Sequence, residues 1–149
     1  MLTALAGLTL HPTKTRIVDA TAPGGFDFLG YHFEQGIRRP RTKSLQKLKD
    51  AIRAKTARTR GQSLSAIISE VNRTLTGWFE YFKHSHRTTF GPLDGWIRMR
   101  MRSILLRRSG RSGRGSGFDH FRWPNAFFAN HGLFFLTTAH ALACQSARR

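Results

Sequence analysis

Residues 24–33 read GGFDFLGYHF, an aromatic stretch in a chain otherwise rich in arginine. Phe26 and Phe28 alternate with Asp27, and Tyr31 and Phe33 flank His32. That period of two belongs to a half-buried strand. Gly30 interrupts the alternation, which predicts a bulge or a close backbone approach. Gln35-Gly36 supplies a hairpin turn, residues 37–39 return antiparallel, and Pro40 ends the edge strand. Beyond Pro40 the apolar period changes from two to that of a helix. The expected fold class is therefore α+β: a small antiparallel β element, then a mainly α-helical bundle.

The bundle is legible helix by helix. Leu45, Leu48 and Ile52 share one face of a basic helix that Gly61 is expected to stop. Ser63 is a good N-cap for the strongest pattern in the chain, in which Leu64, Ile67, Ile68, Val71, Leu75, Trp78, Phe79 and Phe82 recur at helical steps. Gly77 inside that run predicts a kink or a close helix contact. Gly91-Pro92 opens a third helix with a stripe of Leu93, Trp96, Ile97, Met101 and Ile104. Arg98 and Arg102 are expected to point away from this stripe, whereas Arg100 falls inside it and must snorkel or pair. Residues 107–117, RRSGRSGRGSG, read as a flexible basic linker. After it, Pro124 suits a first helical turn, His131-Gly132 a stop, and Thr137 the cap of a last short helix. Upstream of the aromatic stretch, residues 1–7 read as helix closed by Gly7, and residues 8–10 and 15–19 as short strands joined at His11-Pro12. The organisation expected is 1–42 with the β element, 43–109 helical, 110–117 linker, and 118–149 a short helical C-terminal appendage.

Charge limits the function. The 149 residues hold 25 Lys+Arg against 8 Asp+Glu, a net charge of +17. A hydrophobic content of 40%, with twelve Phe and three Trp, is enough for a core, which argues against a disordered basic tail. A folded domain this basic calls for a polyanion, nucleic acid first and an anionic membrane surface second. One cysteine, Cys144, excludes an internal disulfide and suits a reducing, cytoplasmic setting. No apolar run approaches a membrane span, and the opening residues lack the basic region of a secretory signal.

Catalytic patterns do not emerge. The acids Asp19, Asp27, Glu34, Asp50, Glu70, Glu80, Asp94 and Asp119 are isolated in sequence, so no carboxylate pair for two-metal phosphoryl transfer stands out. His84 and His86 lack neighbouring ligands and suit a polar loop contacting phosphate, and His120, His131, His140 and Cys144 lack zinc spacing. No metal or cofactor is expected. The stronger signal is basic. Over residues 38–60 the sole acid is Asp50, and residues 98–114 contain none. Solvated helix faces normally mix signs, so these segments mark phosphate binding. The candidate contacts are Arg38, Arg39, Arg41, Lys43, Lys47, Lys49, Arg53, Lys55, Arg98 and Arg102. Trp78, Phe79, Phe82, Trp96 and Ile97 sit at helical spacing and read as core. RNA is favoured over duplex DNA, because no major-groove reading helix stands out.

The succession LTLHPTKTRIVD (8–19), GGFDFLGYHF (24–33), GWFEYFKHS (77–85), LDGWIRMRMRSIL (93–105) and WPNAFFANHGLFFL (123–136) resembles the C-terminal part of bacterial group II intron reverse transcriptase/maturases. The resemblance implies that residues 1–19 are the end of a palm domain, with Lys14 in its turn. It makes Phe28, Leu29, Gly30 and Tyr31 part of a primer-grip hairpin, and residues 43–106 a three-helix thumb, the maturase-specific domain. The family's thumb clamps template–primer and binds intron RNA to assist splicing. The implied partners are thus structured RNA, group II intron RNA above all, or an RNA–DNA hybrid, together with a fingers–palm chain if the polymerase is split. The catalytic Asp-Asp pair is absent from this sequence. The resemblance therefore implies a module with no polymerase activity of its own. The alternatives are a C-terminal subunit of a split RNA-directed DNA polymerase and a non-functional remnant of a mobile element.

Overall fold

The computed structural model describes residues 24–147 except 60 and 112. The expected helix at 1–7, the strands at 8–10 and 15–19, and Lys14 lie outside the described residues.

Three short strands open the described chain: β1 (Phe26–Phe28), β2 (Tyr31–Glu34) and β3 (Ile37–Pro40). They form an antiparallel meander in the order β1-β2-β3. Phe28 pairs with Tyr31 and Glu34 with Ile37, so each connection has two residues. Leu29-Gly30 and Gln35-Gly36 have φ of +52°/+84° and +50°/+78°. Two successive positive φ values are the signature of the hairpin turn whose twist matches its strands. The expected bulge at Gly30 is therefore corrected: the stretch is two strands around a tight turn. The twist of the hairpin requires the left-handed backbone, and glycine adopts it without steric cost. Leu29 takes up the same conformation next to it and leaves its side chain 68% exposed at the tip.

The sheet is fastened to the helices by backbone and tyrosine hydroxyls. The Tyr31 hydroxyl donates to the Tyr81 carbonyl, and the Tyr81 hydroxyl donates to the Leu29 carbonyl. The two rings stack at 5.8 Å, and Tyr31 also packs on Phe82 at 5.0 Å. Burial, more than any neighbouring charge, raises the Tyr31 phenol above its usual pKa. The Gly30 carbonyl accepts from Arg41 N at 2.9 Å and from Ser44 Oγ at 3.1 Å. His86 N donates to the Arg38 carbonyl at 2.7 Å.

Six helices follow: α1 (Thr42–Lys55), α2 (Leu64–Phe82), α3 (Phe90–Arg108), α4 (Gly117–Arg122), α5 (Asn125–Asn130) and α6 (Leu136–Ala147). Leu48 and Ile52 of α1 are buried, with Leu45 packed beside them. The helix ends earlier than Gly61, at Thr56, whose Oγ1 donates back to the Ile52 carbonyl at 2.7 Å. Ser63 caps α2 by accepting from Ala66 N at 3.2 Å. The expected kink or contact at Gly77 is not found: α2 runs through it, and a Cβ there would meet nothing. A short 3₁₀ turn (Arg87–Thr89), capped by His86, leads into α3 at Phe90, just ahead of Gly91-Pro92.

α3 is buried on more than one face. Phe90, Leu93, Ile97, Met101 and Ile104 form the expected stripe, but Asp94, Arg102, Ser103 and Leu106 are buried as well. Arg102, expected to point outward, is only 3% exposed. Its Nε donates to the Trp123 carbonyl at 2.9 Å and its NH2 to Asn125 Oδ1 at 3.0 Å. Arg98 is half-buried with its guanidinium 5.4 Å from the Phe135 ring centre. Both corrections have one cause, since the chain after residue 116 lies against this side of α3. Trp123, Phe128, Leu133 and Leu136 belong to the same core as α1 to α3, so the C-terminal segment completes the bundle.

Buried polar groups position that segment. Asp94 accepts from Leu136 N at 2.9 Å, Thr137 N at 3.0 Å and Thr137 Oγ1 at 2.8 Å, capping α6 from the side of α3. Asn72 of α2 donates to the Gly132 carbonyl at 2.7 Å and accepts from Phe134 N at 2.8 Å. Asp119 accepts from Ser116 N at 2.8 Å, ordering the start of α4. That bond is the main reason its carboxyl titrates below the usual range.

Two predictions follow from these contacts. Asp94→Ala leaves three donors without their acceptor and is expected to cost about 2–4 kcal/mol in urea unfolding. Asp50→Ala on the exposed side of α1 is expected to cost less than about 1 kcal/mol, and equal costs would contradict the capping role. The second concerns His32, whose Nδ1 meets Asp27 at 2.7 Å and whose Nε2 meets Glu34 at 3.1 Å. Those bonds, Asp27 first, raise its pKa above the unperturbed value of about 6.5. Because the folded value is the higher one, the stabilisation is full below about pH 6.5 and is lost as pH rises through the raised pKa. NMR titration should give a His32 midpoint above about 6.5 that Asp27→Asn lowers. An unshifted midpoint in both proteins would refute the bridge.

Candidate nucleic-acid interface

All acidic side chains among the described residues are engaged inside the molecule. Asp27 and Glu34 flank His32, and Glu34 also pairs with Arg39 at 3.4 Å. Asp50 pairs with Arg53 at 3.0 Å and accepts from Gln46 at 2.9 Å. Glu70 accepts from Gln62, Glu80 pairs with Lys83, Asp94 caps α6, and Asp119 pairs with Arg111. The excess positive charge has few carboxylates left to answer it.

The sequence-predicted cations fall into distinct groups. Arg41, Lys43 and Lys47 line a groove of about 800 Å³ between the β1–β2 tip, the first turns of α1 and the end of α2. Its other walls include Leu29, Gly30, Ser44, Trp78, Tyr81 and Phe82, and one carboxylate, Asp50, also lines it while paired with Arg53. Lys43 and Lys47 are exposed and have no partner among the described residues. Tyr81 is 52% exposed. Cations over a partly open aromatic wall suit a nucleic-acid strand, with phosphates on the cations and bases or riboses on the rings.

The remaining cations are more constrained. Arg38 Nε donates to the His84 carbonyl at 3.1 Å, and its guanidinium lies 5.5 Å from the Tyr31 ring centre. Arg39 is paired with Glu34. Lys55 bonds Thr74 Oγ1 and, at 3.4 Å, the Glu70 carbonyl, which joins α1 to α2. Lys49 and Arg53 lie 5.5 Å and 5.3 Å from the Trp96 ring centre. Arg98 and Arg102 hold the C-terminal segment, as described above. Arg100, expected to snorkel or pair, donates to Thr56 Oγ1 at 2.7 Å.

Of the residues read as core, Phe79, Phe82 and Ile97 are buried, whereas Trp78 and Trp96 are half-buried at the edge of the core. In the hairpin Tyr31 is buried and Phe28 is 60% exposed. Arg58 and Arg114 belong to the two basic segments but were not among the candidate contacts singled out from the sequence, and they share a cavity with Arg100 and Trp96. The available signal was Arg100 itself, a charge lodged in an apolar stripe. Among the described residues no group of His, Cys, Asp and Glu is arranged to hold a metal ion, and no helix is long and apolar enough to cross a membrane.

Residues 45–123 match the family model of the group II intron maturase-specific domain. The match begins in α1, runs through α2 and α3, and ends at Trp123, just past α4. No curated protein matches the chain. The match covers over half of the sequence, so the chain belongs to the group II intron maturase-specific domain family.

Proposed function

We propose that this protein is an RNA-binding, maturase-type module that binds intron RNA, or a template–primer hybrid, through its basic thumb, and has no polymerase site of its own. The observation that carries this reading is the groove, where Arg41, Lys43 and Lys47 face Trp78 and Tyr81. Family membership supports intron RNA as the ligand. Lys43 and Lys47 are the cations best suited to take phosphates, because they are exposed and have no partner among the described residues. Arg38, Arg41, Lys49 and Arg53 extend the same positive field. Arg102, held inside the bundle, is assigned to folding. A cytoplasmic location accords with this reading, and Cys144 is an exposed free thiol.

A second reading has an observation of its own. Phe28 and Leu29 present an apolar hairpin tip, 60% and 68% exposed. That tip favours a C-terminal subunit of a split RNA-directed DNA polymerase, with a fingers–palm chain covering it.

A salt-series titration of the purified chain tests the first reading. It compares structured group II intron RNA with an unrelated RNA of equal length and with duplex DNA. Binding is expected to fall linearly on a logarithmic salt scale, with a preference for the intron that persists at moderate salt. The K43Q/K47Q variant should weaken binding and reduce the slope by about 1–2, with its unfolding midpoint unchanged. Equal, salt-labile affinity for all three nucleic acids would overturn intron recognition and leave only charge.

A further inference from the structure

A second cavity, of about 410 Å³, lies away from the hairpin. Three segments build it: Thr56 and Arg58 after α1, Trp96, Met99, Arg100 and Ser103 on α3, and Arg114 from the loop before α4. Cations crowd around its indole. Lys49, Arg53 and Arg100 stand 5.5, 5.3 and 5.6 Å from the Trp96 ring centre. The π-face attracts each cation, so one ring gathers charges that would otherwise repel one another.

These charges are poorly balanced. Asp50 answers Arg53, while Arg58, Arg100 and Arg114 have no carboxylate partner among the described residues. Burial first, and then repulsion from Arg53 and Arg58, lower the Arg100 pKa, which marks an environment short of negative charge. Arg100 is also fixed in place. Its Nε donates to Thr56 Oγ1 at 2.7 Å and its NH2 to the Thr56 carbonyl at 3.4 Å. Thr56 is buried and anchored to Ile52. A guanidinium oriented in advance beside a cavity is suited to an oxyanion that accepts several N–H donors at once.

We propose that this cavity is a phosphoryl-binding site in which Arg58, Arg100 and Arg114 hold a backbone phosphate of the bound RNA. The chemistry rests on the cavity alone; only the choice of RNA as the source of the phosphate rests on the proposed function. Trp96 gathers the cations, and Arg114 brings the basic loop to the same ligand.

The test uses the full chain, ¹⁵N-labelled, whose three Trp give indole N–H signals that Trp96→Phe assigns. Inorganic phosphate is titrated at constant ionic strength against chloride, followed by a short single-stranded oligouridylate. The expected result is a saturable shift of the Trp96 signal with both ligands, while phosphate leaves the Trp78 and Trp123 signals in place. The R58Q/R114Q variant alters only exposed side chains, so it should stay folded and bind phosphate at least about tenfold more weakly. A Trp96 shift with the oligonucleotide alone supports a phosphodiester ligand. A shift with phosphate alone overturns RNA as its source. Linear shifts shared by all three indoles, or unchanged affinity in R58Q/R114Q, overturn the site. Loss of intron preference in the salt series would leave the phosphate titration unaffected, so the two readings fail separately.

Discussion

The rest of the structure depends on the enclosure of α3. In a helix buried on more than one face an unanswered charge or amide is costly, because an unpaired buried polar group costs more than a lost surface contact. Asp94 and Arg102 both sit in that helix, 3% exposed each. Asp94 is answered by the first amides of α6, and Arg102 by the Trp123 carbonyl and Asn125. Each satisfies its own charge by fixing a later piece of chain. The C-terminal helices are thus held by directional polar contacts as well as by Trp123, Phe128, Leu133 and Leu136 in the core.

Enclosure also shapes the surface. Polar ties inside the bundle use Asp94 and Asp119, and ties on the sheet use Asp27 and Glu34. With the acids so engaged, the lysines and arginines of α1 and its surroundings form a nearly unopposed positive field. The two cavities divide that field. One joins cations to exposed aromatic surface beside the hairpin, where a strand of nucleic acid can lie. The other concentrates arginines around a single indole.

Much of this was legible in the sequence because period and turn chemistry are local. The Gln35-Gly36 turn, the Ser63 cap and the stripe of Leu93, Ile97, Met101 and Ile104 need only neighbours in sequence to be read. The Leu29-Gly30 turn was missed because a leucine at positive φ is uncommon, and the break in alternation at Gly30 fits a bulge as well as a turn. The fate of Arg98, Arg102 and Asp94 was not legible, since each is decided by residues at least 21 positions away. One-helix periodicity assumes a single buried face, and α3 has more than one. In the candidate site, the basic character of α1 was clear from its composition. Which cations stay unpartnered depends on where the few carboxylates fold.

The central claim is that RNA is bound on the face made by the hairpin tip, α1 and the end of α2. Amide hydrogen exchange, read by mass spectrometry with and without intron RNA, tests it most directly. The account predicts added protection in peptides spanning residues 28–48 and 76–84, with peptides of α6 unchanged. Protection confined to α5 and α6, with the hairpin and α1 exchanging as in the free protein, would contradict it.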